Sequence, residues 1–273
     1  MNESDSQQDS TDTQPRSHRS KISKPLISRI TESVYCVQRR DYMSCSYIVV
    51  RENGIVLVDS GIDSNAQDMR DGLAEINRSP EEVKAILLTH WHNDHASGAA
   101  SIRETSGAEI YYHEDGHAKY TREARARGIR GWLAGRLPDA GFWAPVRGLL
   151  ELAPPRAVSA TTFVSEGDLI LDEFRVLETP GHEDGHVSYI FEAENVLFAG
   201  DALAVVHDHI GFMSRFLTHD FKAARESMLR CLTLEVAAIC PGHRYPLLDP
   251  KAEILEQMRD RLENLRWWPI IGC

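Results

Sequence analysis

The stretch LLTHWHNDHASG, residues 87–98, places four titratable side chains directly after an apolar run: His90, His92, Asp94 and His95. The run that precedes them, VKAILLT at 83–89, is continuous, as in a strand covered on both faces. Polar side chains at the end of a buried strand need a partner, because burying an unpaired polar or charged group is costly. The stretch is therefore either a ligand-binding turn or an unusually solvent-exposed turn.

Three later strand-like runs also end in a turn with a histidine or an aspartate. TPGHEDGH at 179–186 supplies His182, LFAGDAL at 197–203 supplies Asp201, and CPGHRYP at 240–246 supplies His243. Glycine in each turn lets the backbone bend sharply, so the next side chain is presented at the edge of the sheet. Residues placed in this way could converge. Five imidazoles and two carboxylates form a ligand set suited to zinc, and also to manganese or iron.

The order of apolar runs predicts an α/β protein with two sheets and helices outside them. Strand-like runs occur at 34–37, 46–50, 54–61, 83–89, 174–178, 187–191, 195–199 and 236–240. Helices are predicted around Met69, Leu73 and Ile76, after Thr218 as N-cap, and at about 251–266. Two sheets with outer helices are the economical architecture for this order.

Composition limits the class of protein. The chain has 273 residues, is 42% hydrophobic and 26% charged, and has a formal charge of −11, which argues against a nucleic-acid or membrane-surface partner. It contains no run of about 18 apolar residues and no secretory signal at its N-terminus, so we expect no membrane span and a cytoplasmic location. The five cysteines are scattered without a C-x-x-C pair, as expected of reduced thiols.

Two segments differ from the rest in composition. Residues 1–25 contain almost no apolar side chain and are predicted to be a disordered tail. Residues 114–160 are rich in Arg, Gly and Trp and form a cationic, helical insertion in an acidic protein. This insertion is either a lid that roofs the pocket with Trp132, Phe142 and Trp143 or a solvated flap without a chemical role.

The combination of His-x-His-x-Asp-His with the three downstream turns resembles the metallo-β-lactamase-fold hydrolase superfamily. The resemblance covers the chain from about Ser33 onward and implies one hydrolase domain at 26–273, folded as a four-layer αβ/βα sandwich. It implies that one metal is held by His90, His92 and His182, that a second is held by Asp94, His95 and His243, and that Asp201 bridges both. Asp59 of the VDSG turn resembles the family's aspartate that orients a ligating imidazole.

Further roles are expected for four residues, one of them already named as a ligand. Asp94 could receive or orient a proton in addition to binding metal. His186, four residues after His182, is expected to make a structural hydrogen bond. His207 and Arg215 are candidates for the substrate pocket, or are surface loop residues; an arginine there could hold an anionic group.

Hydrolysis is the reaction that such a centre implies, with hydroxide bridging two divalent metal ions as nucleophile, zinc being expected first and manganese or iron next. The expected substrate is a small molecule with an ester-type bond, namely a lactone, thioester or ester, which could be anionic or acyl-bearing. Alternatives of the same fold are a phosphodiesterase or nuclease, a β-lactam hydrolase and a mononuclear iron oxygenase; a metal-stabilised scaffold is another. Glyoxalase II-like enzymes have the same ligand pattern but carry a sizeable helical domain after the last histidine. Only thirty residues follow His243 here.

The last apolar stretch, WWPIIG at 267–272, raises the question of a partner. It could pack on the core of its own chain or on a second subunit, and a homodimer is therefore a further expectation.

Overall fold

The computed structural model describes residues 24–40, 43–118 and 162–270. In this part of the chain, two sheets pack face to face and helices cover both outer surfaces. This is the predicted αβ/βα sandwich, so the expectation for the fold is confirmed. Residues 1–23 of the predicted tail at 1–25, and residues 119–160 of the predicted insertion at 114–160, lie outside the described residues.

The first sheet has seven strands among the described residues, in the order of the chain. They are β1 (Leu26–Arg29), β2 (Val34–Arg39), β3 (Ser44–Arg51), β4 (Gly54–Val58), β5 (Val83–Leu87), β6 (Glu109–His113) and β7 (Thr162–Val164). Strands β1 to β4 pair antiparallel, and β4 to β7 pair parallel. The carboxyl ends of β4 and β5 therefore meet at one edge, where the aspartate and histidine turns begin.

The second sheet has six strands in the described residues. They are β8 (Leu169–Ile170), β9 (Phe174–Glu178), β10 (Val187–Phe191), β11 (Val196–Gly200), β14 (Ala238–Pro241) and β15 (Leu247–Leu248), in the spatial order β15-β14-β11-β10-β9-β8. A separate ribbon pairs β12 (Ala204–Val206) with β13 (His209–Gly211). Because β11 and β14 are parallel, their carboxyl ends also lie together.

Three apolar clusters hold the four layers. The inner cluster lies between the sheets and includes Tyr47, Phe174, Tyr189 and Phe198. The outer face of the first sheet is covered by helices α1 (Gln67–Glu75) and α3 (Ala99–Ser106), and α1 buries Met69 and Leu73 as predicted. The second sheet is covered by two further helices, α4 (Phe221–Leu232) and α5 (Ala252–Glu263). A one-turn helix, α2 (Asn93–Ala96), belongs to the histidine turn.

The start of α4 differs from the prediction. Thr218 is not its N-cap; Asp220 is, and its carboxylate accepts hydrogen bonds from the backbone N–H groups of Lys222 and Ala223 at 2.9 and 3.0 Å. An aspartate is at least as good a cap as a threonine, and its side chain reaches the first free N–H groups of this helix. Thr218 instead donates its hydroxyl to the carbonyl of Ser214.

The C-terminal aromatic pair divides between core and surface. Trp268 is buried against Phe212 and Phe221 and donates its indole N–H to the carbonyl of Met213 at 2.9 Å. Trp267 is exposed. Among the described residues, no helix combines the length and apolar character needed to cross a bilayer.

Candidate metal centre

The turn after β5 brings four of the predicted ligands to the edge between the sheets. Hydrogen bonds from the second sheet hold this turn: Val187 N–H donates to the Thr89 carbonyl at 2.9 Å, and Tyr189 Oη donates to the Leu88 carbonyl at 2.8 Å. His90 and His92 flank Trp91, which packs into the cluster under the first sheet. The single turn of α2 then presents Asp94 and His95 as consecutive side chains.

The loops after β9, β11 and β14 supply the other three ligands, and the conformation of each depends on a glycine. At Gly181, φ is +131°, and an added Cβ would lie 2.2 Å from the backbone nitrogen of Ala224. At Gly242, an added Cβ would lie 2.3 Å from Asp201 Oδ1 and 2.7 Å from His95 Cε1. Glycine therefore allows the chain to approach the centre closely enough to present His182 and His243.

The first group of facing ligand atoms comes from His90, His92, His182 and Asp201, whose ligand atoms lie within 4.8 Å of one another. His92 Nδ1 lies 3.1 Å from His90 Nε2 and 3.1 Å from His182 Nε2. Asp201 Oδ2 lies 3.4 Å from His182 Nε2 and 3.8 Å from His90 Nε2. Three imidazole nitrogens and one carboxylate oxygen thus surround a common point.

The second group comes from Asp94, His95 and His243, again with ligand atoms within 4.8 Å. His243 Nε2 lies 3.3 Å from Asp94 Oδ2 and 3.5 Å from His95 Nε2. Asp201 also faces this group. Its Oδ2 lies 3.4 Å from His243 Nε2, and its Oδ1 lies 3.6 Å from His95 Nε2. The structure therefore brings all seven predicted residues together, with Asp201 between the two groups.

The donors of this cluster fit divalent metal ions. Asp201 is only 2% exposed, and among the described residues its Oδ1 has no hydrogen-bond partner. A buried anionic oxygen without a donor is unfavourable unless a cation compensates it. Imidazole nitrogen and carboxylate oxygen are ligands that zinc, manganese and iron accept.

Two hydrogen-bonded partners orient the histidines from behind. Asp59, in a left-handed conformation at φ +59°, accepts from His95 Nδ1 at 2.8 Å and from the backbone N–H and hydroxyl of Thr89. Thr89 Oγ1 lies 3.0 Å from Nδ1 of His90 and can accept its proton. With the Nδ1 atoms held in this way, the Nε2 atoms of both histidines face the centre.

Glu183 is a site residue that the sequence did not reveal. It is buried, and its Oε1 lies 3.1 Å from His92 Nε2 and 3.5 Å from His219 Nε2. The carboxylate therefore accepts the Nε2 proton of His92, so that this histidine presents Nδ1 to the centre, unlike the other four. The position next to His182 was the available clue, but a glutamate after a histidine has no spacing rule that links it to residue 92.

His186 has both ring nitrogens engaged by protein. Its Nδ1 lies 2.8 Å from Thr179 Oγ1, and its Nε2 accepts from the backbone N–H of Asp201 at 2.9 Å. The structure thus places it behind the centre, where it fixes the backbone of Asp201. This is the structural hydrogen bonding that was expected of His186.

Burial and neighbouring charges determine which side chains of the cluster are ionised. Burial lowers the pKa of His182 to about 3 and holds the pKa of His90 well below its usual range, so both imidazoles are neutral. Burial alone would also lower the pKa of His95, but the neighbouring carboxylates, Asp94 first among them, outweigh it and raise that pKa to about 9. Burial would raise the pKa of Asp201, but the surrounding imidazoles, His243 first, hold it well below its usual range. The carboxylates are therefore anionic, as cation binding requires.

A cavity of about 380 Å³ lies next to the centre, with His243 and Arg244 in its lining. The two residues predicted for the pocket are not among those that line this cavity. The Arg215 guanidinium lies 4.9 Å from the centre of the Phe221 ring, and His207 occupies the left-handed turn between β12 and β13. A substrate-binding role for either residue stays a prediction.

The chain is similar to proteins named as hydrolases and to a solved structure. It is 28% identical over 230 residues to the probable metallo-hydrolase YflN of Bacillus subtilis, covering 78% of this chain and 84% of that protein. It is 29% identical over 167 residues to a hydroxyacylglutathione hydrolase of Cereibacter sphaeroides, covering 60% of this chain and 49% of that protein. The crystal structure of a metallo-beta-lactamase family protein from Thermus thermophilus matches with a TM-score of 0.61 and 25% identity, covering 85% of this chain and 80% of that one.

The family assignment follows from the extent of one match. The model of the metallo-beta-lactamase superfamily matches residues 39–243, which contain the whole ligand cluster. The chain therefore belongs to the metallo-β-lactamase superfamily and is a metal-dependent hydrolase.

Proposed function

We propose that the protein hydrolyses an ester-type bond, with a thioester as the first candidate and a lactone or simple ester next, at a centre of two divalent metal ions. The observation that carries the proposal is the juxtaposition of the two ligand groups around Asp201, whose Oδ1 is buried without a donor. In the second group, Oδ1 of Asp201 faces His95 and Oδ2 faces His243. Oδ2 also faces His182 of the first group. This arrangement supports two ions rather than one.

The two carboxylates of the cluster differ in exposure, and their proposed roles differ accordingly. When bound, two divalent ions, zinc being the first candidate, would activate water for attack and polarise the substrate carbonyl. Asp201 is buried and would only hold the ions, whereas the side chain of Asp94 is 19% exposed. Asp94 can therefore meet a substrate and accept the proton of the attacking water, in addition to its role as a ligand.

The thioester preference is supported by one named relative. The hydroxyacylglutathione hydrolase of Cereibacter sphaeroides is named for a thioester substrate, and the match spans about half of that protein. A small-molecule thioester is accordingly the first substrate to test, and the proposed partner is a small molecule rather than a nucleic acid.

A substrate panel on protein of measured metal content tests the proposal. The panel contains a thioester, a lactone, a simple ester, a phosphodiester and a β-lactam, each assayed before and after removal of metal with a chelator. We expect the thioester to be cleaved fastest, activity to disappear with the metal, and activity to return when zinc, manganese or iron is restored. Cleavage of the phosphodiester or the β-lactam alone, or oxygen-dependent turnover with iron, would contradict the proposal.

A further inference from the structure

The cavity beside the metal centre is predominantly apolar. Its apolar lining includes Met43, Phe212, Met213, Phe216, Leu217 and Ile270. Apart from Ser214, the polar side chains of the lining are neighbours in sequence, His243 and Arg244, and His243 is also one of the candidate metal ligands. The cavity therefore lies beside the candidate metal centre at His243 and is mostly apolar elsewhere.

Hydrogen bonds between distant segments hold the walls of this cavity in place. Arg215 N–H donates to the carbonyl of Pro269 at 3.0 Å, and Trp268 donates to the carbonyl of Met213. Arg244 N–H, in another part of the lining, donates to the carbonyl of Met43 at 2.7 Å. Because all three links are made within the protein, the cavity is formed before any ligand enters, which is usual for small-molecule sites.

Large apolar side chains are exposed around this cavity. Phe216 is 81% exposed, and Met43, Leu217 and Ile270 are also exposed. A single exposed apolar residue needs no explanation, but several around one cavity mark a binding site. Their burial by a ligand would remove apolar surface from water and so favour binding.

We propose that this cavity binds the aliphatic acyl chain of the substrate, with the scissile carbonyl at the metal centre. The inference rests on the proposed function and adds the substrate class, an uncharged medium-length acyl thioester or ester. Among the described residues, Arg244 is the only permanently charged side chain of the lining, and it donates to the sulfur of Met43 at 3.5 Å. A polyanionic group would lack partners there, whereas an alkyl chain would fill a volume typical of ligand pockets.

The kinetic test is a series of acyl thioesters of one thiol, from acetyl to decanoyl, hydrolysed by the metal-loaded full-length protein. We expect kcat/KM to rise about threefold to fourfold for each added methylene until the cavity is filled. The double substitution Phe216→Ser and Leu217→Ser should reduce the ratio of decanoyl to acetyl kcat/KM by about tenfold or more. Both positions are exposed, so the variant is expected to fold.

A matched control separates the cavity from general surface hydrophobicity. Trp267 and Leu248 are 81% and 52% exposed, close to the 81% and 48% of Phe216 and Leu217, and neither lines the cavity. The double variant Trp267→Ser and Leu248→Ser should keep the chain-length dependence of the wild type. An equal loss of chain-length dependence in this control would overturn the inference.

A binding measurement provides a readout that does not depend on turnover. Titration calorimetry of the metal-free protein with decanamide, an uncharged probe, should give a weaker Kd, by about tenfold, in the Phe216→Ser and Leu217→Ser variant, and acetamide should bind neither protein measurably. Unchanged decanamide binding in the variant, or an unchanged chain-length dependence of its kcat/KM, would overturn the acyl-chain assignment. Failure of every thioester, lactone and simple ester to be hydrolysed would instead overturn the proposed function and, with it, the substrate role.

Discussion

The turn after β5 and the loops at the ends of the second sheet position their ligands by different means. In the turn, a side chain fixes the outer nitrogen of each histidine: Thr89 for His90, Glu183 for His92 and Asp59 for His95. In the loops, glycine backbone sets the geometry, and in the described structure the outer nitrogen of His182 has no hydrogen-bond partner. The turn thus depends on hydrogen bonds and the loops on close backbone approach, so the two regions should fail differently when altered.

Removal of a ligand from the turn should have the largest effect. His92→Ala should lose bound metal and hydrolytic activity together while the fold stays largely intact, since the His92 side chain is partly exposed. Elemental analysis measures the bound metal, hydrolysis of a thioester measures the activity, and circular dichroism measures the fold. His113→Ala, which removes a partly buried histidine paired with Glu178 outside the cluster, is the control. Normal metal content in His92→Ala would refute the ligand assignment.

A methyl group added to a loop should have the next largest effect. In Gly242→Ala, the new Cβ would meet Asp201 Oδ1 and His95 Cε1, so backbone or ligands must shift. We expect metal affinity, measured by competition with a chelator, to fall by about a hundredfold, as for loss of a supporting partner. Gly167→Ala is the control, because an added Cβ at Gly167 meets nothing within 4 Å. Since φ at Gly167 is +82°, this variant tests the effect of backbone strain without a steric clash. Equal metal affinities for the two variants would argue against steric control of the centre.

Loss of a hydrogen-bonding side chain behind the turn should have a graded and smaller effect. Glu183→Gln keeps an acceptor for the Nε2 proton of His92 but removes the charge, so metal affinity should fall by about tenfold, and Glu183→Ala should lose more. Glu166→Gln, which alters an exposed ion pair with Arg230, is the control and should bind metal normally. Wild-type affinity in Glu183→Ala would show that Glu183 does not position His92.

A buried carboxylate outside the centre should change stability and leave metal binding unchanged. Asp68 accepts hydrogen bonds from the backbone of Ile62 and Met69, but burial and, next, the charge of Asp63 raise its pKa from 3.8 to about 6. Because the folded pKa is the higher, the stability present below pH 3.8 is lost as pH rises through 6. The unfolding free energy of the wild type relative to Asp68→Asn should therefore fall by about 2 kcal/mol between about pH 4.5 and about pH 8.

Urea unfolding of both metal-free proteins across this pH range checks the last prediction. A constant difference between wild type and Asp68→Asn would mean that Asp68 titrates in the folded protein as it does in the unfolded chain. A change in metal affinity in Asp68→Asn would extend the positioning network of the turn to α1.

Local pattern was sufficient for the architecture and for the chemical identity of the candidate ligands. The apolar runs at 174–178 and 187–191 coincide with β9 and β10, because alternation and continuous burial are properties of neighbouring residues. The histidine and aspartate turns follow strand ends, and strand ends of parallel pairs meet at one edge. The boundary of α4 was missed by two residues, because two capping residues stand close together and only the backbone geometry selects Asp220.

The tertiary structure alone decided which groups act behind the ligands and beside them. Glu183 and His92 are 91 residues apart, and no periodicity connects them. The roles of His182 and His186 were expected from the sequence, but only the folded chain identifies Thr179 and the Asp201 N–H as the partners of His186. The apolar cavity likewise joins Met43, Phe216 and Ile270 from three distant segments. The physical reason is that sequence pattern reports local burial, whereas hydrogen-bond partners and cavity walls depend on distances that only chain packing sets.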